Sequence, residues 1–467
     1  MSTFLLAAPP LFGHLAPMVA IGARLVQRGH DVELLGGRKY RDLATSRGLR
    51  FTPLPRDADF DDDDLDAWLP HRERYSGLAA GRRDILGLFV RPLRAQSAAL
   101  HDRLRRTGPD AVVAESAFLG ALPLVLSRPA SARVPVVAVS TTPLALRSVD
   151  TAHFGSGLQP GTGRFTRMRN RHIDALLARG PLRPVQEGLD AALTAAAVDR
   201  AEAGDGLGSS VSADHPGRPA DGGTGWGVNY FDHLLEYDLT LHLSVPGFEY
   251  PRRELPDRVR FVGPVPAAGD GRLPSWWGDL DGSRPVVHVT QGTMDNADPT
   301  KLLLPTLAAL ADEDVLVVAS TGGRPVTDLL TLARERRMPV PANARLAGFV
   351  PYAELLPRVD VVVTNGGYGG VQAALSHGVP LVVAGDGEDK PEVAARVAWS
   401  GAGVALRTGR PSPRRVRRAV RTVLTQPRYP AAAARLRDEI VGHGDPLDEV
   451  ALTLEGLTAG ERVLGHR

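Results

Sequence analysis

Cysteine is absent from all 467 residues of the chain, which excludes disulfide bonds, thiolate metal sites and a cysteine nucleophile. Lysine is nearly absent as well. The only three are Lys39, Lys301 and Lys390, so arginine supplies almost all of the positive charge. The formal net charge is only +2. The chain therefore lacks the basic signature of a nucleic-acid-binding protein, and we expect no nucleic-acid partner.

Long apolar runs are missing too. No stretch reaches the roughly 18 apolar residues that a membrane-spanning helix needs, so we expect no membrane span. The N-terminal sequence MSTFLLAAPP has neither a basic region nor a long apolar run, which argues against a secretory signal peptide. We therefore expect a soluble, cytoplasmic protein.

Several common catalytic motifs do not occur. No G-x-G-x-x-G follows the first predicted strand, so a nicotinamide-dependent dehydrogenase is poorly supported. The chain also lacks a Walker A sequence, an H-E-x-x-H motif and the G-x-S-x-G nucleophile elbow, each of which would indicate a different chemistry.

The most informative stretch is residues 361–403. An apolar, β-branched run at 361–363 predicts a buried strand, and the glycine-rich turn 365–370 leads from it into a helical pattern. Glycines let the backbone approach a ligand closely, and the free N–H groups at a helix start favour an anion. The alternative is a tight turn that needs glycine only for its positive φ angle. Four glycines within five residues exceed that need.

A second predicted strand, 380–384, ends in a polar cluster. Open α/β sheets bind ligands at the carboxyl ends of their strands, so this cluster and the glycine-rich turn should face one crevice. A helix N-cap before Pro391 is the alternative interpretation of the cluster, and it is compatible with ligand binding. The members of the cluster are Asp386, Glu388, Asp389 and Lys390.

Strand and helix patterns alternate twice along the chain. A chain of this length exceeds what one core supports, and the Pro/Gly-rich connector 264–285 is the best domain boundary. The predicted fold is therefore α/β, with two facing Rossmann-like, doubly wound parallel-sheet domains and a cleft between them. Residues 1–263 form the first domain and residues 286–445 the second. The Gly/Ser/Asp-rich segment 201–227 predicts a mobile surface loop.

His14 and Glu115 are the candidate catalytic residues. His14 lies in a predicted loop, 9–15, between the first strand and a helix that we expect to begin at Pro17. A histidine there can act as a general base near neutral pH. Glu115 ends another strand of the same half, so it projects from the same sheet edge and can orient the ring. A helix-capping or packing histidine is the alternative.

The second half predicts an anion site. Gly292 and Thr293 follow its first strand. Together with the glycine-rich turn they can hold a diphosphate through N–H, hydroxyl and amide donors, without a metal. The acidic run 61–64 raises the alternative of a divalent-metal site, although a solvated loop is the simpler interpretation.

These motifs, taken in order, resemble the family-1 glycosyltransferases of GT-B fold, in particular the bacterial group that acts on macrolides and other natural products. The resemblance covers nearly the whole chain and is weakest between residues 60 and 235. It is carried by Gly13-His14-Leu15-Ala16-Pro17, Arg28-Gly29-His30, Gly366-Gly367, Gly378-Val379-Pro380 and Asp389.

The resemblance implies an inverting, metal-independent transfer of a sugar from a UDP- or dTDP-sugar to a hydroxyl of a small, largely apolar acceptor. No cofactor is implied, since the nucleotide sugar is a co-substrate. It also implies that residues 446–467 form a helix that returns to the first domain, which binds the acceptor. His14 would be the base. The implied donor-binding residues of the second domain are Gly292, Thr293, Phe349, Val350, Asn365, Gly366, Gly367, Tyr368, Gly369, Gly370, Asp389 and Lys390.

This chain departs from the family pattern at four positions. Asn365 stands where the family commonly has histidine, Lys390 and Tyr352 stand where glutamine is frequent, and Glu115 replaces the usual aspartate. Lys390 is expected to supply the positive charge that Asn365 lacks. The departures at Asn365 and Glu115 keep open a non-catalytic nucleotide-sugar-binding helper. A nucleotide-sugar epimerase of the same fold is a second alternative, although such epimerases lack the Gly13-His14 acceptor loop. The acceptor pocket is expected to form from residues 60–89 and 140–235.

Overall fold

The computed structural model describes residues 1–75, 77–127, 129–202, 226–266, 272–293 and 295–460. Most of the loop predicted at 201–227 lies outside these residues. The described chain forms two α/β domains, each built around a sheet whose strands all run parallel. The predicted fold class is therefore confirmed.

The first domain contains a sheet of seven strands in the order β3-β2-β1-β4-β5-β6-β7. Its strands are β1 (Thr3–Ala7), β2 (Asp31–Gly36), β3 (Arg50–Pro53), β4 (Ala111–Glu115), β5 (Val136–Ser140), β6 (Leu239–His242) and β7 (Val259–Phe261). Its helices are α1 (Phe12–Gln27), α2 (Arg41–Thr45), α3 (Leu65–Trp68), α4 (Gly77–Asp84), α5 (Leu93–Thr107), α6 (Leu122–Ser127), α7 (Arg164–Arg179) and α8 (Arg183–Glu202).

The second domain contains a sheet of six strands in the order β10-β9-β8-β11-β12-β13. Its strands are β8 (Val286–Thr290), β9 (Leu316–Ser320), β10 (Ala344–Ala347), β11 (Val361–Thr364), β12 (Leu381–Val383) and β13 (Gly403–Ala405). Its helices are α9 (Leu303–Leu310), α10 (Val326–Glu335), α11 (Tyr352–Leu355), α12 (Tyr368–Ser376), α13 (Lys390–Ser400), α14 (Pro413–Thr425) and α15 (Arg428–His443), and α16 (Pro446–Thr458) closes the described chain.

Both sheets are buried on both faces, which explains why their strands are apolar runs rather than alternating patterns. In β1, Leu5 packs into the core on one face of the first sheet, whereas Phe4 and Leu6 pack into the core on the other face. The second sheet is covered in the same way by two separate cores. Side chains of adjacent residues point to opposite faces of a strand, so each strand contributes to both cores.

Each sheet reverses its strand order at one point, and these two points define the site. In the first sheet β1 lies between β2 and β4, and in the second β8 lies between β9 and β11. At such a reversal the loops leave in opposite directions and open a crevice at the carboxyl ends of the strands. His14 follows β1, Glu115 ends β4, Gly292 follows β8 and Asn365 follows β11.

Helix α16 returns to the first domain, as the fold class predicted. Its buried side chains Val450 and Leu454 belong to the same core as Phe4 of β1. Ion pairs flank this contact, because Arg24 lies 2.9 Å from Asp445 and Arg28 lies 2.8 Å from Glu455. The end of the second domain is thereby fixed to the first helix of the first.

Helix α1 begins earlier than the sequence predicted. It starts at Phe12 rather than Pro17, so His14 lies in the first turn of the helix and not in a loop. The prediction was wrong because proline commonly occupies the first helical position, whereas Pro17 lies inside α1. Helix α5 begins directly after Pro92, which occupies its N-cap position.

Candidate active site

The first half of the site is a pair formed by His14 and Glu115. Strands β1 and β4 are neighbours with Ala7 opposite Ala114, so the residues that follow β1 and end β4 meet at one edge. His14 Nδ1 lies 3.0 Å from Glu115 Oε1. The Glu115 side chain is fully buried, whereas 14% of the His14 side chain remains exposed. The carboxylate therefore holds one nitrogen of the His14 ring, Nδ1, and leaves the other, Nε2, for a ligand.

Two hydroxyl groups that sequence reasoning missed hold the Glu115 carboxylate in place. Ser116 Oγ and Thr141 Oγ1 each donate to Glu115 Oε1 over 2.7 Å. The backbone N–H of Ala117 donates to Oε2 over 2.8 Å. Ser116 directly follows β4 and Thr141 directly follows β5. The position of each hydroxyl residue directly after the end of a strand was the sequence signal that could have identified it.

The pKa values of the two side chains are shifted in the directions that a general base and its charged partner need. Burial opposes protonation of His14, but the charge and hydrogen bond of Glu115 outweigh it and raise the pKa of His14 above its ordinary value. Burial likewise opposes ionisation of Glu115, yet His14 and the two hydroxyl donors hold the pKa of this carboxyl below its ordinary value. Glu115 thus stays charged and stabilises an imidazolium at His14.

The glycine-rich turn after β11 forms the second half of the site. Gly366 has a φ of +93° and Gly292, after β8, has a φ of +70°, a region in which side-chain-bearing residues are strained. Gly369 and Gly370 have ordinary helical geometry, and a Cβ added at either would meet no atom within 4 Å. The backbone conformation therefore does not require glycine at these two positions. Their open surroundings instead match a cradle for a ligand at the start of α12.

Asn365 joins the two loops of this crevice. Its side-chain nitrogen donates to the carbonyl of Gln291, and its Oδ1 accepts from the Gly367 N–H over 3.4 Å. Gly292 follows Gln291 directly, and Thr293 beside it is exposed. Asn365 is thus buried and fixes the loop after β8 against the loop after β11.

Three predicted donor-binding residues lie differently from one another. The Tyr368 side chain points away from the crevice into the domain interface, where its hydroxyl lies 3.3 Å from His242 Nε2. The Val350 side chain is buried in the core of the second domain, with 1% exposure. Phe349 follows β10 with 55% of its surface exposed. Of these three side chains, only that of Phe349 stands open to a ligand.

Asp389 occupies the N-cap position of α13, but its side chain makes no capping hydrogen bond. Burial and the nearby charge of Glu388 raise the pKa of the Asp389 carboxyl, against the opposing charges of Lys390 and His14. Asp389 and His14 influence each other's pKa. Glu388, the residue beside it, lies 2.8 Å from Arg72 of the first domain, so Asp389 lies where the start of α13 meets the first domain.

Lys390 does not stand alone in the crevice. Its buried ammonium pairs with Glu388, and the other carboxylate oxygen of Glu388 lies 2.8 Å from Arg72 of the first domain. Burial opposes the charge of Glu388, but Lys390 and Arg72 overcome it and lower the pKa of this carboxyl to about 2. Arg72 also pairs with Asp84 at 2.9 Å. Lys390 is thus part of an ion-pair chain that bridges the cleft.

A buried charge cluster, absent from the sequence interpretation, ties α13 to the first domain. Arg396 lies 3.0 Å from Glu249 and 2.9 Å from Glu392, and all three are almost fully buried. Glu392 Oε1 also accepts the backbone N–H groups of Gly155 and Gly157, both over 2.9 Å. The helix that begins with Asp389 and Lys390 is therefore bonded directly to the first-domain loop 150–158.

The acidic run considered as a metal site converges on an ammonium group instead. Three of its carboxylates, those of Asp61, Asp62 and Asp63, lie close together. Lys39 Nζ lies within 2.6 to 2.9 Å of all three, and Tyr40 donates to Asp62. Lys39 therefore offsets one of the three carboxylate charges, and its ammonium lies among the oxygens that a divalent cation would bind.

The chain was also compared with known proteins. Residues 314–457 match the family model "Erythromycin biosynthesis protein CIII-like, C-terminal domain". The chain is 41% identical to 4'-demethylrebeccamycin synthase of Lentzea aerocolonigenes, over 97% of this chain and 99% of the relative. It is 33% identical to UDP-glycosyltransferase 2 of Phaeomoniella chlamydospora, over 97% of this chain and 95% of the relative.

Among solved structures, the chain resembles the glycosyltransferase VinC in complex with dTDP. The TM-score is 0.63 at 20% identity, over 98% of this chain and all of that one. This similarity supports the two-domain fold. With the sequence relatives, it places the two crevices of this chain in a GT-B architecture. The chain belongs to the family-1 glycosyltransferases of GT-B fold, and it is a glycosyltransferase.

Within the described residues, no helix combines the length and apolar character needed to cross a membrane.

Proposed function

We propose that this protein is an inverting, metal-independent glycosyltransferase that moves a sugar from a UDP- or dTDP-sugar to a hydroxyl of a small, largely apolar natural product. The observation that carries the proposal is the His14–Glu115 pair, 3.0 Å apart, opposite a carboxylate and a glycine-rich helix start of the second domain.

The first step is removal of a proton from the acceptor. Glu115 occupies Nδ1 of His14, so Nε2 accepts the proton of the acceptor hydroxyl as its oxygen bonds to the anomeric carbon. The fixed carboxylate stabilises the imidazolium that results. In a single displacement of this kind, the acceptor oxygen attacks the anomeric carbon from the side opposite the leaving group. The anomeric configuration is therefore inverted.

The second domain serves the donor. Negative charge develops on the departing nucleoside diphosphate, and N–H groups at the start of α12 stabilise it without needing to reorganise. Gly369 and Gly370 allow close approach of the phosphates, Thr293 offers a hydroxyl, and exposed Phe349 offers a ring for the nucleobase. The Asp389 carboxylate, which makes no capping hydrogen bond to α13, is suited to accept hydrogen bonds from sugar hydroxyls. Backbone donors in place of a metal support metal independence.

The donor and acceptor classes follow from the relatives. One relative's name specifies UDP and one structural neighbour was solved with dTDP, so both bases are proposed. The relative with 41% identity is named for the synthesis of 4'-demethylrebeccamycin, which supports a natural-product acceptor. We also propose that the protein is cytoplasmic.

Ligand screening followed by a transfer assay tests the proposal. A thermal-shift panel of nucleotides and nucleotide sugars should show stabilisation by UDP or dTDP forms, because a ligand that binds only the folded state raises its stability. A panel of aglycones with the stabilising donor should then yield glycosides of inverted configuration, with unchanged rates in EDTA. Stabilisation without transfer, retention of configuration, or loss of activity in EDTA would each contradict a stated part.

A further inference from the structure

Helix α7, Arg164–Arg179, exposes apolar side chains that a folded surface usually covers. Phe165, Met168 and Leu176 are 68%, 53% and 71% exposed. With His172 they follow spacings of three, four and four residues, which places them in one stripe along the helix. Asn170 lies on the opposite side, where it is buried and donates to the carbonyl of Val149 over 3.0 Å. The apolar stripe therefore points directly outward.

Arginines flank this stripe on both sides. The helix contains five arginines and one aspartate, a local excess of four positive charges in a chain whose total is +2. Arg167 pairs with Asp150 at 2.8 Å. Within the described ranges, the other four show no carboxylate partner, and all four are exposed. They are Arg164, Arg169, Arg171 and Arg179.

The helical geometry places these arginines on both sides of the apolar stripe. At 100° per residue, Arg169 lies on one side of the stripe, while Arg164 and Arg171 lie on the other. An exposed apolar stripe between uncompensated arginines is the pattern of a helix that lies in a membrane interface. Its apolar side chains enter the acyl boundary and its cations contact anionic headgroups.

We propose that α7 docks this glycosyltransferase on the surface of an anionic lipid bilayer. The charge pattern favours this occupant over a second copy of the chain, since a symmetric pairing of two such helices would bring their arginines together. It also favours a bilayer over a nucleic acid, because phosphate backbones need cations but no apolar stripe.

The chain contains a matched control. Helix α14, Pro413–Thr425, has five arginines and no acidic residue, but its apolar residues Val416 and Val420 are buried. It is therefore a strongly basic helix without an outward apolar stripe. Removing two charges from α14, at Arg414 and Arg418, changes the net charge as much as removing two from α7.

The test is sedimentation of the full-length protein with phosphatidylcholine vesicles, with and without phosphatidylglycerol. We expect binding only to the anionic vesicles, and release by salt. The double variant Arg169→Gln/Arg171→Gln should weaken binding about tenfold or more, and the triple variant Phe165→Ser/Met168→Ser/Leu176→Ser by at least about tenfold. The double variant Arg414→Gln/Arg418→Gln should change it much less.

Thermal midpoints should be unchanged in the triple variant and in the α14 variant, since their substituted side chains are exposed. Arg169 also donates to Asn170 Oδ1 over 2.9 Å, so vesicle binding of the α7 double variant is measured at a temperature where its unfolding curve shows it fully folded. Equal binding to neutral vesicles, no binding to either kind, or equal losses from the α7 and α14 double variants would overturn the proposal. A triple variant that turns a dimer into a monomer without altering vesicle binding would show that the stripe serves self-association instead.

Discussion

Replacement of Glu115 by glutamine should separate the charge of this carboxylate from its hydrogen-bonding geometry. The glutamine oxygen can still accept from Ser116, Thr141 and the His14 ring, so the ring stays oriented. The amide nitrogen takes the place of Oε2, so the Ala117 N–H loses its acceptor. What is lost is the negative charge that stabilises the imidazolium. At the observed 3.0 Å, an effective dielectric constant of about 20 gives a pair energy of about 5 kcal/mol.

The cost in rate follows from how far the proton has moved. If about half a charge has developed on His14 in the transition state, the loss is about 2.5 kcal/mol, or roughly 100-fold in the plateau value of kcat. The pH profile should move as well. The pKa of His14 lies above its ordinary value of 6.5 mainly because of Glu115. In Glu115→Gln, burial acts with little opposition and lowers it.

The apparent pKa of the activity profile and its plateau value should therefore both fall. Because the base must be neutral to accept a proton, activity in the native enzyme rises with pH through the raised pKa of His14. In the Glu115→Gln variant this rise should begin at lower pH while the plateau falls. The assay is initial transfer rate against pH at saturating donor.

Glu33→Gln is the matched control, since Glu33 is also a buried glutamate, paired with Arg103 at 2.8 Å and outside the site. It should leave the profile unchanged. An unchanged plateau in Glu115→Gln, or a rise that stays at the native pH, would refute the role of the carboxylate.

Three further outcomes are expected. Gly370→Ala should weaken binding of the nucleoside diphosphate at least tenfold in calorimetry, because the added methyl occupies the open cradle. The stability of the protein should not fall, since alanine favours a helix over glycine by about 1 kcal/mol. Lys390→Gln should lower kcat/KM about tenfold or more, because Glu388 and Asp389 then face the diphosphate without their buried cation; full turnover would refute the compensation for Asn365. Glu392→Ala should cost about 3 kcal/mol in denaturant unfolding, because Arg396 keeps its buried charge but loses one of two carboxylates.

Two of these three experiments have a control variant. Gly442 of α15 likewise has open space around its Cβ position, so Gly442→Ala should leave nucleotide affinity intact. Glu392→Gln can still accept from Gly155 and Gly157, so it should recover part of the stability that Glu392→Ala loses. A Gly370→Ala protein with native affinity would show that no ligand approaches the start of α12.

The sequence was sufficient to predict the elements on which the site is built. Parallel strands buried on both faces produce continuous apolar runs, and their polar ends identify the ligand edge. Glu115 was found in this way, directly from its place at the end of a strand. The glycines of the turn were also informative, because their number exceeds what one φ > 0 position needs.

Other features depend on contacts between distant parts of the chain, which no local pattern contains. Glu392 bonds to the Gly155 and Gly157 N–H groups from more than 230 positions away. The inward orientation of Tyr368 follows from Glu249 and His242 of the other domain. Likewise, Lys390 could be identified as an unusual cation, but its pairing through Glu388 to Arg72 emerges only when the two domains meet.

The most direct test of the account is the transfer rate of His14→Ala, measured beside its affinity for the nucleoside diphosphate. The proposed base lies in the first domain and the proposed donor crevice in the second. The substitution should therefore lower kcat about 10³-fold or more and leave the nucleotide affinity by calorimetry at its native value. A His14→Ala enzyme that transfers sugar at the native rate would contradict the central claim.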